Sequence, residues 1–168
     1  RDRVELLEGV IVAMTPIIPP HAGSVTKVSR ALLVAVGARA SVRTQCPLIL
    51  RPRSVPEPAV AVVAGCDDDY FSAHPEAARL VVEVADSSLP QDRLSKSRIY
   101  AQAAIPEYWI VNLREGVLEV MRDPDPVAAL YRVLYTLRAG DRIDIASLPG
   151  TSIEVADMLP RIPPANEI

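Results

Sequence analysis

The residues best suited to chemistry are a glutamate inside an apolar strand and a lysine on the helix that follows it. Glu83 interrupts the run Leu80–Ala85, whose β-branched residues are typical of a strand buried on both faces. A buried carboxylate is costly unless a partner neutralises it. Lys96 is one of two lysines, with Lys27, among 18 lysines and arginines, and can mark a place that needs a compact ammonium. The pair predicts a buried acid beside an ammonium, which makes a candidate active site.

Lys96 belongs to a strand–helix–strand unit over residues 80–112. Ser88 and Gln91 have the spacing of a capping box, so we predict a helix from about residue 89 to Ala104. The segment after it, 107–111, is predicted to be a second strand. Strand, helix and strand in this order are typical of a crossover unit with parallel strands.

Three residues of the predicted helix, Asp92, Lys96 and Tyr100, stand at i, i+4 and i+8 and share one face. Tyr100 is therefore a candidate for substrate contacts beside Lys96. The alternative for Lys96 is an ordinary helix ion pair with Asp92, which contributes only a few tenths of a kcal/mol. The alternative for Glu83 is a structural carboxylate paired with an arginine.

His21 and Gln45 are further candidates for substrate contacts. His21 stands at the start of the first long helical pattern, and its alternative role is packing beside Pro20. Gln45 falls near the middle of the predicted sheet, where its amide could reach a metal-bound water. The acidic run Asp67–Asp69 resembles a metal cluster, but we interpret it as a solvated loop.

The remaining segments predict an α/β or α+β fold: a mixed, curved β-sheet flanked by two main helices. Two short strands surround a turn at Glu8-Gly9, and apolar residues at helical spacing predict a helix over 21–37. Further strands are predicted at 40–50, 59–64, 116–121 and 130–137. With no long linker or internal repeat, residues 1–168 are expected to form a single domain.

Composition limits the function classes. The chain has 168 residues and a net charge of −3, which argues against a protein that coats nucleic acid by charge alone. No apolar run is long enough to span a bilayer and no signal-peptide pattern is visible, so we expect no membrane association. Cys46 and Cys66 form no CxxC pair, and we expect them to be buried free thiols in a reducing cytoplasm.

Together these motifs resemble the Uma-two family of restriction endonucleases, a branch of the PD-(D/E)XK nuclease superfamily. The match covers roughly residues 3–160, and its most specific part is the strand motif at 105–111 with its spacing from Glu83. The matching segments are Leu7-Glu8-Gly9, Pro19-Pro20-His21, Val55-Pro56-Glu57-Pro58, Val81-Val82-Glu83-Val84, Asp92-Lys96-Tyr100 and Ile105-Pro106-Glu107-Tyr108-Trp109-Ile110-Val111.

The resemblance implies a restriction-endonuclease-like fold and a Mg²⁺- or Mn²⁺-dependent endonuclease that hydrolyses DNA phosphodiesters. It implies that Glu83 binds the metal and that Lys96 replaces the lysine that the superfamily carries two residues after the acid, where this chain has Ala85. Glu8 could help to bind the ion. The chain departs from the family at Ala59, since members carry aspartate after Pro58.

The loss of that aspartate puts the enzyme prediction in question. Mg²⁺ usually binds through one or two carboxylates, so Glu83 with Ala59 beside it would form a weak site or none. The expected function is therefore a metal-dependent endonuclease that is impaired here. The alternative is a nucleic-acid-binding or oligomerisation module without catalysis. We expect residue 59 and Glu83 to lie at the ends of adjacent strands on one side of the sheet.

Assembly is a separate expectation. The apolar segments 117–121 and 130–137 could leave a long strand edge, which proteins seldom leave bare. The sequence therefore predicts a homo-oligomer, most simply a twofold dimer.

Overall fold

A computed structural model describes residues 3–14 and 16–161. Its centre is a mixed six-stranded sheet in the order β3-β4-β5-β6-β7-β8. Two hairpins, β1-β2 and β9-β10, lie outside this sheet. The strands of the described residues are β1 Val4–Leu7, β2 Val10–Ala13, β3 Ser41–Thr44, β4 Val60–Val63, β5 Leu80–Ala85, β6 Glu107–Asn112, β7 Val117–Asp125, β8 Leu130–Leu137, β9 Arg142–Asp144 and β10 Ser152–Glu154.

The only parallel pair in the six-stranded sheet is β5 with β6, and its other neighbours are antiparallel. In this pair Val82 lies opposite Trp109 and Glu83 opposite Ile110. All residues of both strands are buried, which explains why their sequences are nearly continuous apolar runs. The predicted mixed sheet with two main helices is confirmed.

Helix α1, Pro19–Val36, packs on one face of the sheet. It begins two residues earlier than predicted, because prolines are accepted at the first helical positions. Gly37 ends it with a φ of 55°, a conformation that glycine adopts readily. The buried residues of α1 recur on one stripe and contact the core through Val25, Val28, Leu32 and Val36.

Helix α2 covers the opposite face over residues 89–102 and has three successive parts. These are an α-helical start Leu89–Gln91, a π-helical turn Asp92–Lys96 and an α-helical end Ser97–Gln102. The predicted capping box at Ser88 is wrong. The Ser88 hydroxyl donates to Asp92 Oδ2 at 2.8 Å instead of bonding a backbone N–H.

Two further predictions need correction. The strand predicted over 40–50 is confined to Ser41–Thr44, because the chain turns at Gln45, whose φ is 49°, and Pro47 follows. The cysteines are free as predicted but are not buried, since Cys46 is half-buried and Cys66 is exposed at the start of a short 3₁₀ turn.

Within the described residues, no helix has the length and apolar character needed to cross a membrane.

Candidate functional site

The π-helical turn in α2 positions the site. Because a π-turn adds a residue per turn, the Ser97 N–H donates to the carbonyl of Asp92, five residues earlier. Tyr108 on β6 also donates to this carbonyl, at 3.1 Å. The turn brings Asp92 and Lys96 to the inner face, where they are 2% and 6% exposed. Such turns occur often at functional sites.

Lys96 lies at the centre of a buried cluster of acids. Its Nζ donates to Glu83 Oε1 at 2.9 Å and to Glu5 Oε1 at 3.0 Å, and lies 4.0 Å from Asp92 Oδ1. The contact with Asp92 that the alternative interpretation predicted is present, but it is longer than the two contacts with Glu83 and Glu5. Lys96 joins acids from two separate strands to the helix.

Glu83 is almost saturated with hydrogen bonds. Its Oε1 accepts from Lys96 and from the Tyr100 hydroxyl, the latter at 2.7 Å. Its Oε2 accepts from the backbone N–H of Ala59 at 3.2 Å. A carboxylate offers about four lone-pair positions, so roughly one remains for another ligand. The structure brings the predicted Glu83, Lys96 and Tyr100 into direct contact.

Ala59 lies beside Glu83, as the sequence predicted. Strands β4 and β5 pair as far as Val60 opposite Val82, so Ala59 and Glu83 are the next residues along the two chains. Both line the same cavity, and the Ala59 N–H bonds Glu83. The methyl group of Ala59 packs with the core residues on the α1 face, so its contact with Glu83 is made through the backbone.

Glu5, which the sequence interpretation missed, supplies the second carboxylate. It lies on β1, is 5% exposed, and accepts from the Glu57 N–H at 2.9 Å as well as from Lys96. The signal was present: Glu5 and Leu7 share the buried face of β1, so an acid falls at an inward position of a period-two pattern.

Glu8, the acid predicted to help Glu83 bind a metal, does not join this cluster. It lies in the β1–β2 turn with a φ of 52°, where its side chain leaves the cavity. There its carboxylate pairs with the Arg98 guanidinium, with Nε to Oε1 at 3.0 Å. Of the two glutamates in this hairpin, Glu5 contacts Lys96 and Glu8 contacts Arg98.

The acids face a small cavity of about 70 Å³. The predicted residues His21 and Gln45 both line it. His21 Nδ1 is buried and has no hydrogen-bond partner among the described residues. Burial lowers the pKa of His21, although the Glu83 charge acts in the opposite direction, so this imidazole is held towards its neutral form.

Asp92 is the acid with the most perturbed protonation. Burial and then the Glu83 charge raise its pKa to about 7, against the opposing effect of Lys96 and of the Ser88 hydroxyl. Burial alone would lower the pKa of Lys96, but the charges of Glu83, Glu5 and Asp92 raise it above its ordinary value. The ammonium is therefore firmly protonated, and Asp92 gains or loses its proton near neutral pH.

A divalent ion does not fit the cluster as it is arranged. The Lys96 ammonium takes the position between Glu5 and Glu83 that a shared cation would need, and it uses an oxygen of each. Within the described part of the chain, no three His, Cys, Asp or Glu side chains are arranged to hold a metal ion. What the arrangement offers is a fixed ammonium and a set of acceptor oxygens at a cavity.

Comparisons with known proteins agree with this architecture. The family model Uma2, described as "Putative restriction endonuclease", matches residues 1–156. Among solved structures, the chain is similar to a "putative nuclease belonging to DUF820" from Anabaena variabilis, with a TM-score of 0.69 and 13% identity. That similarity covers 92% of this chain and 88% of the other. A search of curated protein sequences finds no match.

Proposed function

The chain belongs to the Uma2 family, and from that premise we propose that it is a nucleic-acid phosphodiester hydrolase whose metal-dependent activity is impaired by Ala59. DNA is the proposed substrate. The observation that supports this most directly is the position of Ala59, which lines the cavity of Glu83 and bonds its carboxylate through the backbone. The chain keeps the acid, the lysine and the cavity, and lacks one carboxylate.

The missing carboxylate explains why the activity would be weak. Phosphodiester hydrolysis needs an activated water and positive charge near the phosphate oxygens. Lys96 can supply charge, but it is shared between Glu5 and Glu83. Mg²⁺ or Mn²⁺ would therefore bind weakly or not at all unless a further oxygen ligand were present.

The test restores that ligand. We expect Ala59→Asp to tighten Mn²⁺ and Mg²⁺ binding in calorimetry and to give metal-dependent cleavage of plasmid DNA. Adding Glu83→Ala should abolish the cleavage again. In the Ala59→Asp background, Lys96→Ala should slow cleavage more than it weakens metal binding, because an ammonium stabilises phosphate charge rather than the cation.

A matched control is Ala139→Asp, which adds the same charge at an exposed turn after β8. It should change neither metal binding nor cleavage. If Ala59→Asp leaves the protein inert on double-stranded DNA, single-stranded DNA and RNA, the hydrolase proposal fails. Brisk metal-dependent cleavage by the unmodified chain would show that Ala59 does not limit activity.

The second candidate is a nucleic-acid-binding module without catalysis. The observation that favours it is the Lys96 ammonium, which already bonds both Glu5 and Glu83 within hydrogen-bond distance. A site that carries its own cation has less need of a metal. This candidate predicts salt-dependent nucleic-acid binding with no response to Mg²⁺, whether or not aspartate stands at position 59.

For assembly we propose a twofold homodimer through β8. This strand is outermost in the six-stranded sheet, with β7 as its only strand neighbour among the described residues. It exposes the apolar side chains Leu130, Val133, Leu134 and Tyr135. A second copy can extend the sheet antiparallel across such an edge.

Light scattering at micromolar concentration measures the mass of the assembly and should give a dimer for the parent chain and a monomer for Leu134→Glu. A monomeric parent chain contradicts the proposal.

A further inference from the structure

A second groove lies beside the acidic cavity and is lined by residues of α1 and by Thr44 at the end of β3. It encloses about 420 Å³, and it shares two lining residues, Ile17 and Gln45, with the cavity. Volumes of about 300–1,000 Å³ are typical of sites that hold small organic ligands. Because Ile17 and Gln45 line both spaces, a ligand that extends past these two residues would lie next to the acidic cavity.

Three residues that line the groove carry hydroxyl groups: Thr26, Ser29 and Thr44. Ser29 on α1 and Thr44 at the end of β3 are hydrogen-bonded to each other at 2.8 Å. In this pair one hydroxyl donates to the other, so one proton remains free to donate to a ligand. Thr26 Oγ1 donates to the carbonyl of Ala22 at 3.0 Å and leaves its oxygen as an acceptor. Hydroxyls of this kind commonly contact phosphates and sugars.

The charge of the groove is opposite to that of the cavity. Arg30 lines the groove and is exposed, and among the described lining residues there is no aspartate or glutamate. The exposed apolar side chains of Ile17 and Leu33 complete the wall and can pack against a base. A groove with one cation, several hydroxyls and apolar patches suits a single anionic strand that carries bases.

Gln45 stands at the junction of the two spaces in a strained backbone conformation. Its φ is 49°, a left-handed conformation that non-glycine residues seldom adopt, and its N–H donates to the Ala59 carbonyl at 3.1 Å. Such strain persists where surrounding contacts enforce it, often at functional sites. The turn fixes the Gln45 side chain between the groove and the position next to Glu83.

We propose that this groove holds a single strand of nucleic acid and leads the adjoining phosphodiester to the cavity of Glu83 and Lys96. The substrate class of the site is then a single strand or an unpaired end rather than an intact duplex. This inference rests on the proposed function, since it names the substrate of the same site. The net charge of −3 also argues against binding of a duplex by overall charge alone.

The test measures binding without catalysis. Fluorescein-labelled eight-nucleotide DNA and RNA strands, and a duplex of the same DNA sequence, are titrated with the unmodified chain in EDTA at low salt. We expect either single strand to bind at least about tenfold more tightly than the duplex. Arg30→Glu should weaken single-strand binding about fivefold to tenfold and flatten its salt dependence. Arg138→Glu, the same change at an exposed site after β8, should stay within about twofold.

Arg30→Glu could weaken binding simply by misfolding, so a second variant is designed to bind single strands more tightly. Thr26→Lys adds a cation inside the groove and should tighten single-strand binding about fivefold, whereas Ala38→Lys, at an exposed position beyond α1, should not. Absence of single-strand binding, equal or tighter duplex binding, or equal effects of Arg30→Glu and Arg138→Glu would overturn the proposal.

The two proposals can fail separately. If Ala59→Asp cleaves DNA but Arg30 has no influence on single-strand binding, the groove proposal falls and the hydrolase proposal stands. If Ala59→Asp is inert while the unmodified chain binds single strands through Arg30, the hydrolase proposal falls and the groove proposal stands.

Discussion

Glu83 on β5 and Glu107 on β6 are buried carboxylates on adjacent parallel strands, and they are neutralised in different ways. Glu107 is wholly buried, and its Oε1 accepts from Arg122 Nε at 2.7 Å and from Trp109 Nε1 at 2.9 Å. Its Oε2 accepts from the Ala146 N–H at 2.9 Å. Glu107 is not among the residues that line the cavity of Glu83. Glu107 therefore ties the sheet to the chain after β9.

Glu83 has similar burial but a different set of partners. Its cation is a lysine that is shared with Glu5, and its carboxylate borders the cavity at Ala59. A planar guanidinium matches one carboxylate, whereas a compact ammonium can move between several acceptors. Burial of a carboxylate alone therefore does not identify a functional site in this sheet. The identity of the cation and the presence of free volume separate the structural acid from the candidate functional one.

The largest effect should come from removing the charge of Glu107. We expect Glu107→Gln to lower the free energy of unfolding by about 3–5 kcal/mol, because Arg122 loses its buried partner and the new amide meets donors on both sides. Urea denaturation at neutral pH measures this loss. A change below about 1 kcal/mol would show that the pair is dispensable, and the contrast with Glu83 would then lose its basis.

The next effect concerns pH and Asp92. Its folded-state pKa of about 7 lies above the unfolded value, so the folded state binds the proton more tightly. Stability from this group is fully present below about pH 4 and is lost as the pH rises to about 7, by up to about 4 kcal/mol.

Asp92→Asn isolates this contribution, because asparagine does not titrate and can still accept from Ser88. Urea unfolding of both proteins between pH 4.5 and 7.5 should show the parent chain losing stability relative to the variant. Parallel pH profiles would show that Asp92 ionises in the folded protein as it does in the unfolded one, and that Lys96 and its acids form no coupled cluster around it.

Much of the fold could be predicted from local patterns, because each main element carries its own signal. Strand β8 has the predicted bounds, Leu130–Leu137, and the parallel pair β5–β6 follows from the strand–helix–strand spacing. Helix α1 lies close to its predicted range, since its apolar spacing and Gly37 define it. The short strand β3 was overestimated because the positive φ of Gln45 depends on its contact with Ala59, far away in the sequence.

The candidate site was predictable only where its residues belong to one continuous segment. Glu83, Lys96 and Tyr100 lie within 18 residues, and helical spacing alone places the last two on one face. Glu5 comes from a distant hairpin and has an ordinary strand sequence around it. The turn at Glu8-Gly9 is more conspicuous in the sequence, and the sequence therefore points to Glu8 as the additional acid. The π-turn has no strong signal in Asp92–Lys96, since it depends on Tyr108 and on the buried charges.

A smaller loss is expected at Glu83 itself. Glu83→Gln should lower the free energy of unfolding by only about 1–2 kcal/mol, less than the loss at Glu107, because Lys96 keeps Glu5 at 3.0 Å. Removing one negative charge also relieves repulsion with Asp92, so the pKa of Asp92 should fall. The same denaturation series measures the loss, and NMR titration of the Asp92 carboxyl measures the pKa. Equal losses for the two Gln variants would mean that Glu83 is as structural as Glu107.

The smallest effect should be that of Tyr100→Phe. The Tyr100 hydroxyl donates to Glu83 Oε1 at 2.7 Å, and burial with the Glu83 charge raises its pKa well above the ordinary value, so it remains a neutral donor. Without this hydroxyl the Glu83 carboxylate still accepts from Lys96 and from the Ala59 N–H, so the free energy of unfolding should fall by only about 1 kcal/mol.

Tyr131→Phe is a matched control, because the Tyr131 hydroxyl donates to the Ile105 carbonyl at 2.9 Å and not to Glu83. Both variants should lose similar stability, but only Tyr100→Phe should change the titration of Asp92, through the altered charge distribution on Glu83. If neither variant or both variants shift that titration, Tyr100 does not couple selectively to the cluster of Lys96.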